Sequence, residues 1–336
     1  MEINHFIGAD VSKGTLDFSL VNQGKIIFHL RVANTNVGIE HFIKEIKTNF
    51  NVNLSSTVFC MEHNGIYNNI LLLYLAKLNT NVWVESALQI KQSQGMLRGK
   101  NDKVDSGRIA MYAYRYLENY IPWNPPREII IQIKQLLVIR ARIVETVKQL
   151  NTPIGKDAEI FFTKSYLKLS RKCCDASIKA MKKDIKAIEK QIKDLIRNDE
   201  SLNHLFKIVM SVDGVGLLIA ATIITTTNEF KNFSSAKKFA CYSGVVPFEH
   251  SSGSSIKGRP KVSNLANKNV KRILHLAALT GIRKGGEFRD FYERKVAEGK
   301  HKMSVINSIR NKLILRIFAC VRDNRLFEKK HQILLA

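Results

Sequence analysis

Four acidic residues stand apart in a strongly basic chain: Asp10, Glu62, Asp102 and Asp105. Asp10 closes the apolar run His5-Phe6-Ile7-Gly8-Ala9-Asp10, and Glu62 closes Thr57-Val58-Phe59-Cys60-Met61-Glu62. Asp102 and Asp105 lie three positions apart, so on a helix they share one face. Carboxylates at two strand ends and on one helical face can converge on a hard cation. Magnesium takes a few carboxylates and completes its shell with substrate phosphate oxygens. In a basic protein this pattern points to metal-assisted chemistry on nucleic-acid phosphates. Singly, each acid has a plainer role: a turn residue at a strand end, a helix cap at Asp102, an ion pair at Asp105.

A second group lies towards the C-terminus. The run His250-Ser251-Ser252-Gly253-Ser254-Ser255-Ile256-Lys257-Gly258-Arg259 sets hydroxyls beside cations, and a helix with Lys268, Lys271 and Arg272 follows. The run reads either as a flexible linker or as a phosphate-binding segment carrying a serine nucleophile. Its shortness and its apolar flanks favour the second. A serine hydroxyl needs activation at neutral pH, and the residues name no general base; His250 is close in sequence but reads as well as a structural side chain. Upstream, Val212-Asp213-Gly214-Val215-Gly216 is patterned like a helix-hairpin-helix turn. Gly214 and Gly216 would let backbone N–H groups approach a phosphate at a helix N-terminus, or would simply join two packed helices. Arg98, Lys100, Lys257, Arg259, Lys271 and Arg272 are candidate phosphate contacts.

The elements that must position these groups follow from hydrophobic periodicity. Residues 3–11, 14–21 and 24–32 read as strands, with Asn22-Gln23-Gly24 marking a hairpin turn. A helix over 36–48, a strand over 56–62, a helix over 66–78 and a strand over 81–85 follow, then a helix over 102–118 carrying both aspartates. Three meandering strands and then alternating helix and strand make a mixed α/β sheet, in the order of an RNase H-like domain. Tyr120-Ile121-Pro122-Trp123-Asn124-Pro125-Pro126 breaks helices and marks a boundary. A long helix over 127–151 ends near Pro153 and Gly155. The next carries Ile178, Met181, Ile185, Ile188, Ile192 and Leu195 at coiled-coil spacing, a seam for an intramolecular hairpin or for a second copy.

The whole-chain properties agree. The 336 residues allow two or more domains, and the formal charge of +24 calls for a polyanionic partner. From 251 to 336 there are 20 Lys and Arg against 6 Asp and Glu, so more than half of the excess lies in the last quarter. Five cysteines form no C-x-x-C pair, which argues against zinc and a disulfide framework. The N-terminal residues show no signal-peptide pattern. The longest apolar stretch, 208–224, contains Asp213 and two glycines and is not read as membrane-spanning. A reducing cytoplasm is expected.

Together these residues resemble the IS-one-ten family of insertion-sequence transposases, the DEDD-type recombinases related to the Piv invertase. The marks are Ile7-Gly8-Ala9-Asp10-x-x-Lys13, Cys60-Met61-Glu62-x-x-Gly65-x-Tyr67, Lys100-Asn101-Asp102-x-x-Asp105, Ser243-Gly244-Val245-Val246-Pro247, Ser252-Gly253-Ser254-Ser255 and the Lys271-Arg272 helix. Ala9 stands where the family has a bulkier aliphatic residue, and Asp213 where proline is frequent. The resemblance implies an α/β plus α protein in three parts: a RuvC-like RNase H-fold domain over 1–122, a helical coiled coil over 127–200, and a basic, mainly helical transposase domain over 201–336. It implies that Asp10, Glu62, Asp102 and Asp105 hold Mg2+, with Mn2+ as a substitute, and that Ser252 is the catalytic nucleophile. The implied partners are donor and target DNA, a noncoding bridge RNA that pairs with both, and further copies of the chain in a dimer or tetramer, acting in the cytoplasm at the nucleoid. The residues themselves also fit a metal-dependent nuclease or junction resolvase that activates water, and a non-catalytic nucleic-acid binder.

Overall fold

The computed structural model describes residues 3–94, 101–152, 163–252 and 256–328. The chain divides into two compact units, Met1–Pro125 and Pro126–Ala336.

The first unit is built on a five-stranded sheet: β1 (His5–Val11), β2 (Thr15–Asn22), β3 (Lys25–Ala33), β4 (Thr57–Glu62) and β5 (Asn81–Glu85). Their order is β3-β2-β1-β4-β5. β1–β2 and β2–β3 are antiparallel, while β1–β4 and β4–β5 are parallel. The β2–β3 turn puts both Gln23 (φ 48°) and Gly24 (φ 75°) in the left-handed region, as a tight two-residue hairpin requires.

Strand alternation sends Ile7, Ala9, Val11, Leu16, Phe18, Leu20, Phe59 and Met61 to one face. There α1 (Asn36–Phe50) packs Ile39, Phe42, Ile43 and Ile46, spaced for one helical stripe; α2 (Asn69–Lys77) adds Leu71, Leu72 and Leu75. Thr35 caps α1 by accepting from the Gly38 N–H at 3.2 Å. Ala9 is fully buried in this layer, so its small side chain is a packing choice remote from the opposite face.

That opposite face carries Phe6, Val21, Val58, Cys60 and Trp83, covered by α4 (Asp102–Arg115) through Ile109, Ala110, Tyr112 and Ala113. A short helix α3 (Ala87–Gln92), absent from the sequence reading, adds Ile90. The helix expected over 102–118 stops at Arg115, and a 3-10 turn covers Leu117–Asn119.

In the second unit, α5 (Glu128–Asn151) and α6 (Lys164–Asn198) pack along each other. Ile188, Ile192 and Leu195 of the coiled-coil seam share a core with Ile130, Ile133, Leu136 and Leu137 of α5, so this stretch of the seam is used within one chain. Arg140 donates to Glu189 across the pair at 2.7 Å. Pro153 and Gly155 lie outside the described residues.

The same core takes in α7 (Glu200–Met210), α8 (Leu217–Thr227), α9 (Ala236–Tyr242), α10 (Lys268–Lys284), α11 (Glu287–Ala297) and α12 (Lys302–Arg322). α12 buries Val305, Ile309, Leu313, Ile314 and Ile317. A charged hub pins the start of α5. Arg127 donates to Asp199 at 2.6 Å and to Glu229 at 2.5 Å, while Asp199 also caps α7 through the Leu202 N–H. Arg127, and then that capping bond, hold the Asp199 carboxyl down at about 2.

One element was not anticipated. Residues 247–262 form an antiparallel hairpin, β6 (Pro247–Ser252) and β7 (Ile256–Val262). The serine–glycine run thus begins on a strand, with Ser251 and Ser252 in β6, while Gly253, Ser254 and Ser255 lie outside the described residues.

Close packing of α4 on β1 sets the position of two of the four acids. A Cβ on Gly8 would lie 2.2 Å from the Ser106 carbonyl oxygen and 2.3 Å from the Ala110 nitrogen. Both are backbone atoms that no side-chain rotation can move aside. Gly8→Ala is therefore expected to destabilise the protein by about 1–3 kcal/mol through overpacking, measured by urea unfolding. An unchanged midpoint would show that α4 does not rest directly on this strand.

Candidate functional site

The sheet register assembles the acids. Asp10 pairs opposite Asp17, Asp17 opposite Arg31 and Glu62 opposite Glu85. β1 and β4 run in parallel register up to Ala9–Met61, so Asp10 and Glu62 are the next residues on each strand. Alternation puts Asp10, Asp17, Glu62 and Glu85 on the α4 side. Several carboxylates and one guanidinium thus cross the sheet where β1, β4 and β5 end.

Asparagines brace those strand ends. The Asn64 amide donates to the Val11 carbonyl at 2.7 Å, and the Asn68 amide to the Glu62 carbonyl at 2.7 Å. The Asn34 amide bridges the Ser12 and Tyr67 carbonyls at 2.9 and 3.1 Å.

The first turn of α4 brings Asp102 and Asp105 to this row. The helix is capped by Asn101, whose side chain accepts from the Lys103 N–H at 3.0 Å, so Asp102 is released from the capping role that its position allows. Arg31 donates to Asp17 at 2.9 Å and to Asp102 at 2.6 Å, tying the helix start to β3. Arg108 pairs with Asp105 at 2.8 Å. Deeper in the helix, Ser106 and Ser19 share a buried hydroxyl hydrogen bond of 2.8 Å, and the Tyr112 hydroxyl donates to Glu85 at 3.3 Å.

Asp10 registers the convergence. Its carboxyl is pushed up to about 6, first by burial and then by the negative charges of Asp102, Asp105, Glu62 and Asp17. All four expected acids therefore act on one electrostatic centre. They are not drawn into a closed ligand cage: among the described residues no three His, Cys, Asp or Glu side chains stand in metal-holding geometry. The donor set is nonetheless all carboxylate oxygen, the chemistry of a hard divalent cation. The raised Asp10 carboxyl shows an excess of negative charge that such a cation would relieve.

Asp17, Arg31 and Glu85 were not singled out from the sequence. Asp17 is 2% exposed and held by His29 and Arg31. Its signal was a carboxylate at a core position between buried Leu16 and Phe18.

In the second unit, Ser252 is the last residue of β6, paired with Ile256, and Ser251 pairs with Lys257. Arg259 lies further along β7. Gly253, Ser254 and Ser255, together with Arg98 and Lys100, fall outside the described residues. Arg272 is exposed on α10 and Lys271 is half-buried.

The two turn glycines differ. Gly214 has φ 88°, and a Cβ there would lie 2.4 Å from the Ala277 carbonyl oxygen, so it seats the turn against α10. Gly216 precedes α8 with open space where a Cβ would point. No helix among the described residues is long and apolar enough to cross a membrane.

Two family models match the chain. A transposase model of the DEDD type covers residues 7–156, and the model described as transposase IS116/IS110/IS902 family covers 206–293. The first spans every acid of the sheet row and of α4; the second spans the hairpin and Ser252. The chain is 26% identical over 329 residues to the pilin gene-inverting protein of Moraxella bovis, covering 97% of this chain and 98% of that one. It is 25% identical over the same length to the pilin gene-inverting protein of Moraxella lacunata. An insertion element IS110 protein of Streptomyces coelicolor is 29% identical over 123 residues, 37% of this chain and 30% of that one. These likenesses define a DNA-recombining enzyme, a transposase. The chain belongs to the IS116/IS110/IS902 family of insertion-sequence transposases.

The Asp10 environment carries a stability signature. A carboxyl whose folded pKa exceeds its unfolded value of 3.8 binds its proton more tightly in the folded state. Its contribution favours folding at low pH and is lost as pH rises through about 6. Without divalent cations, Asp10→Asn should melt above the wild type at pH 7.5, and the gap should close as pH falls from about 6 towards 4. Thermal unfolding across that range is the check; a variant that melts below the wild type at pH 7.5 would contradict the electrostatic picture.

Proposed function

We propose that this transposase cuts and rejoins DNA through a covalent phosphoserine link made by Ser252, with Asp10, Glu62, Asp102 and Asp105 holding magnesium, or manganese in its place. The observation that carries this reading is the raised Asp10 carboxyl, on which the other three acids converge. The strand order β3-β2-β1-β4-β5, with its antiparallel and then parallel pairs, supports a RuvC-like RNase H fold for the first unit. When bound, magnesium supplies Lewis-acid polarisation of a phosphodiester.

Asp10 and Glu62 keep the donors fixed on rigid strands, while Asp102 and Asp105 approach on a helix seated by Gly8. In the serine step, a bond forms between the Ser252 Oγ and phosphorus as one P–O bond to a sugar breaks. The hydroxyl proton leaves to solvent and the departing sugar oxygen takes up a proton. The phosphoester is conserved in the enzyme link, so a hydroxyl of another strand can attack it and regenerate the serine.

The family resemblance extends the reading. A bridge RNA would select donor and target DNA by base pairing, leaving the protein to recognise shape and backbone. The serine of one copy would meet the acids of another in a dimer or tetramer. Exposed Val138, Ile139 and Val144 on α5 offer apolar surface for such assembly. The enzyme would work in the cytoplasm, on the nucleoid.

Ser252→Ala should abolish covalent protein–DNA adducts on denaturing gels, a loss of at least about 10³-fold. Its DNA affinity should stay within about twofold of the wild type, since phosphate contacts dominate binding. A Ser252→Ala protein that still recombines DNA would end the serine assignment. A wild type that releases only hydrolysed ends would establish the water-activating nuclease instead.

A further inference from the structure

The second unit buries positive charge with no acid to meet it among the described residues. Arg310, on α12, is 5% exposed. Its Nη1 donates to the Asn307 Oδ1 at 3.3 Å and its Nη2 to the His275 Nδ1 at 2.6 Å, while its Nε finds no acceptor. A guanidinium only donates, so His275 must accept at Nδ1, and the neutral ring then carries its proton on Nε2. One turn before His275 on α10, Lys271 is half-buried, with its Nζ beside Gly244. Gly244 has φ 62°, and a Cβ there would run into Ala266 and crowd the Lys271 side chain. Burial, and for Lys271 and His275 also the Arg310 charge, push all three groups towards their neutral forms. No carboxylate among the described residues pairs with any of them.

A buried guanidinium cannot neutralise itself by losing its proton, and an unpaired buried charge is costly. Arg127 in this same unit, although only half-buried, is paired with both Asp199 and Glu229. The place beside Arg310 adjoins an opening. Asn307, its partner, donates to the Val245 carbonyl at 2.6 Å and also lines a cavity with Pro247, Lys261, Asn264 and Ser304. That cavity lies along the β6–β7 hairpin, the element that carries Ser252.

We propose that Lys271, His275 and Arg310 form a binding site for a backbone phosphodiester of DNA, whose anionic oxygens supply the missing counter-charge. The cluster offers a guanidinium, an ammonium and the His275 Nε2–H, donors suited to two non-bridging oxygens. The site rests on the DNA-recombinase reading for the identity of its ligand, and goes beyond it in naming His275 and Arg310, positioning residues that hold the strand rather than react with it.

The test uses the full chain. Thermal unfolding is followed as inorganic phosphate replaces chloride at constant ionic strength, then with a short DNA duplex. Phosphate should raise the melting temperature of the wild type, and Arg310→Gln should remove most of that rise while melting no lower than the wild type in chloride. A wild-type-sized phosphate response in Arg310→Gln would overturn the site, as would a wild-type melting temperature that phosphate does not raise. If Arg310→Gln fails to fold, Lys271→Gln, at a half-buried position, decides: it should raise the half-saturating phosphate concentration about tenfold, and no change overturns the site. On DNA, Arg310→Gln should weaken binding about tenfold and lower the salt slope by about one; an effect on duplex RNA alone would overturn the DNA assignment. Failure of the two readings can be told apart. An Arg310-dependent phosphate response in a wild type that forms no covalent adduct sinks the serine mechanism and leaves the site standing. Adduct formation and DNA affinity unchanged in Arg310→Gln sink the site and leave the mechanism standing.

Discussion

The acidic centre depends on one steric fact, the contact of the α4 backbone with the β1 backbone at Gly8. Any larger residue there would hold the helix off the sheet. With the helix seated, Ser106 reaches Ser19 in a dry hydrogen bond, and Asp102 and Asp105 come within electrostatic range of Asp10. Two strand-borne acids are fixed by the sheet itself; the two helix-borne acids owe their place to a missing side chain. Arg31 completes the arrangement by joining β3 to the helix start through Asp17 and Asp102, so the row is stitched laterally as well as seated vertically.

That construction explains which parts were legible in the sequence. Asp10 and Glu62 end apolar runs, and a polar residue closing a buried strand is visible without knowing its neighbours. Asp102 and Asp105 are visible as an i, i+3 pair. Asp17 and Glu85 belong to the same row, but only cross-strand register places them there, and a one-residue slip would have sent them to the other face. The β6–β7 hairpin was hidden for another reason. Pro247-Phe248-Glu249-His250-Ser251-Ser252 lacks apolar alternation, because a two-stranded ribbon has little core to face. Arg310 was hidden most completely: amid Ile306, Ile309, Leu313 and Ile314 it looks like the polar side of an amphipathic helix, yet α12 is buried along that stretch.

The coiled-coil seam shows how periodicity underdetermines partners. Ile188, Ile192 and Leu195 of the seam that would dimerise two chains pack against α5 of their own chain, because a long helix returning beside its predecessor meets that partner at a far higher effective concentration than a second copy. The core around Ile192 is thus formed within one chain.

Each unit holds charge of one sign beyond what its own residues balance. In the first, Asp10 is driven towards its neutral form by burial and then by neighbouring carboxylates. In the second, Arg310 is buried and Lys271 half-buried, with no carboxylate paired to either among the described residues. Neither excess serves the stability of the protein by itself, since unpaired buried charge opposes folding. Each would become favourable only with a ligand of the opposite sign, which for the proposed sites is a divalent cation at the acids and a phosphodiester at the cations. Binding energy at each site would then come from relieving strain that its own unit already contains. The stability forgone in the free protein thereby becomes preorganisation of groups whose charge matches the reacting phosphate.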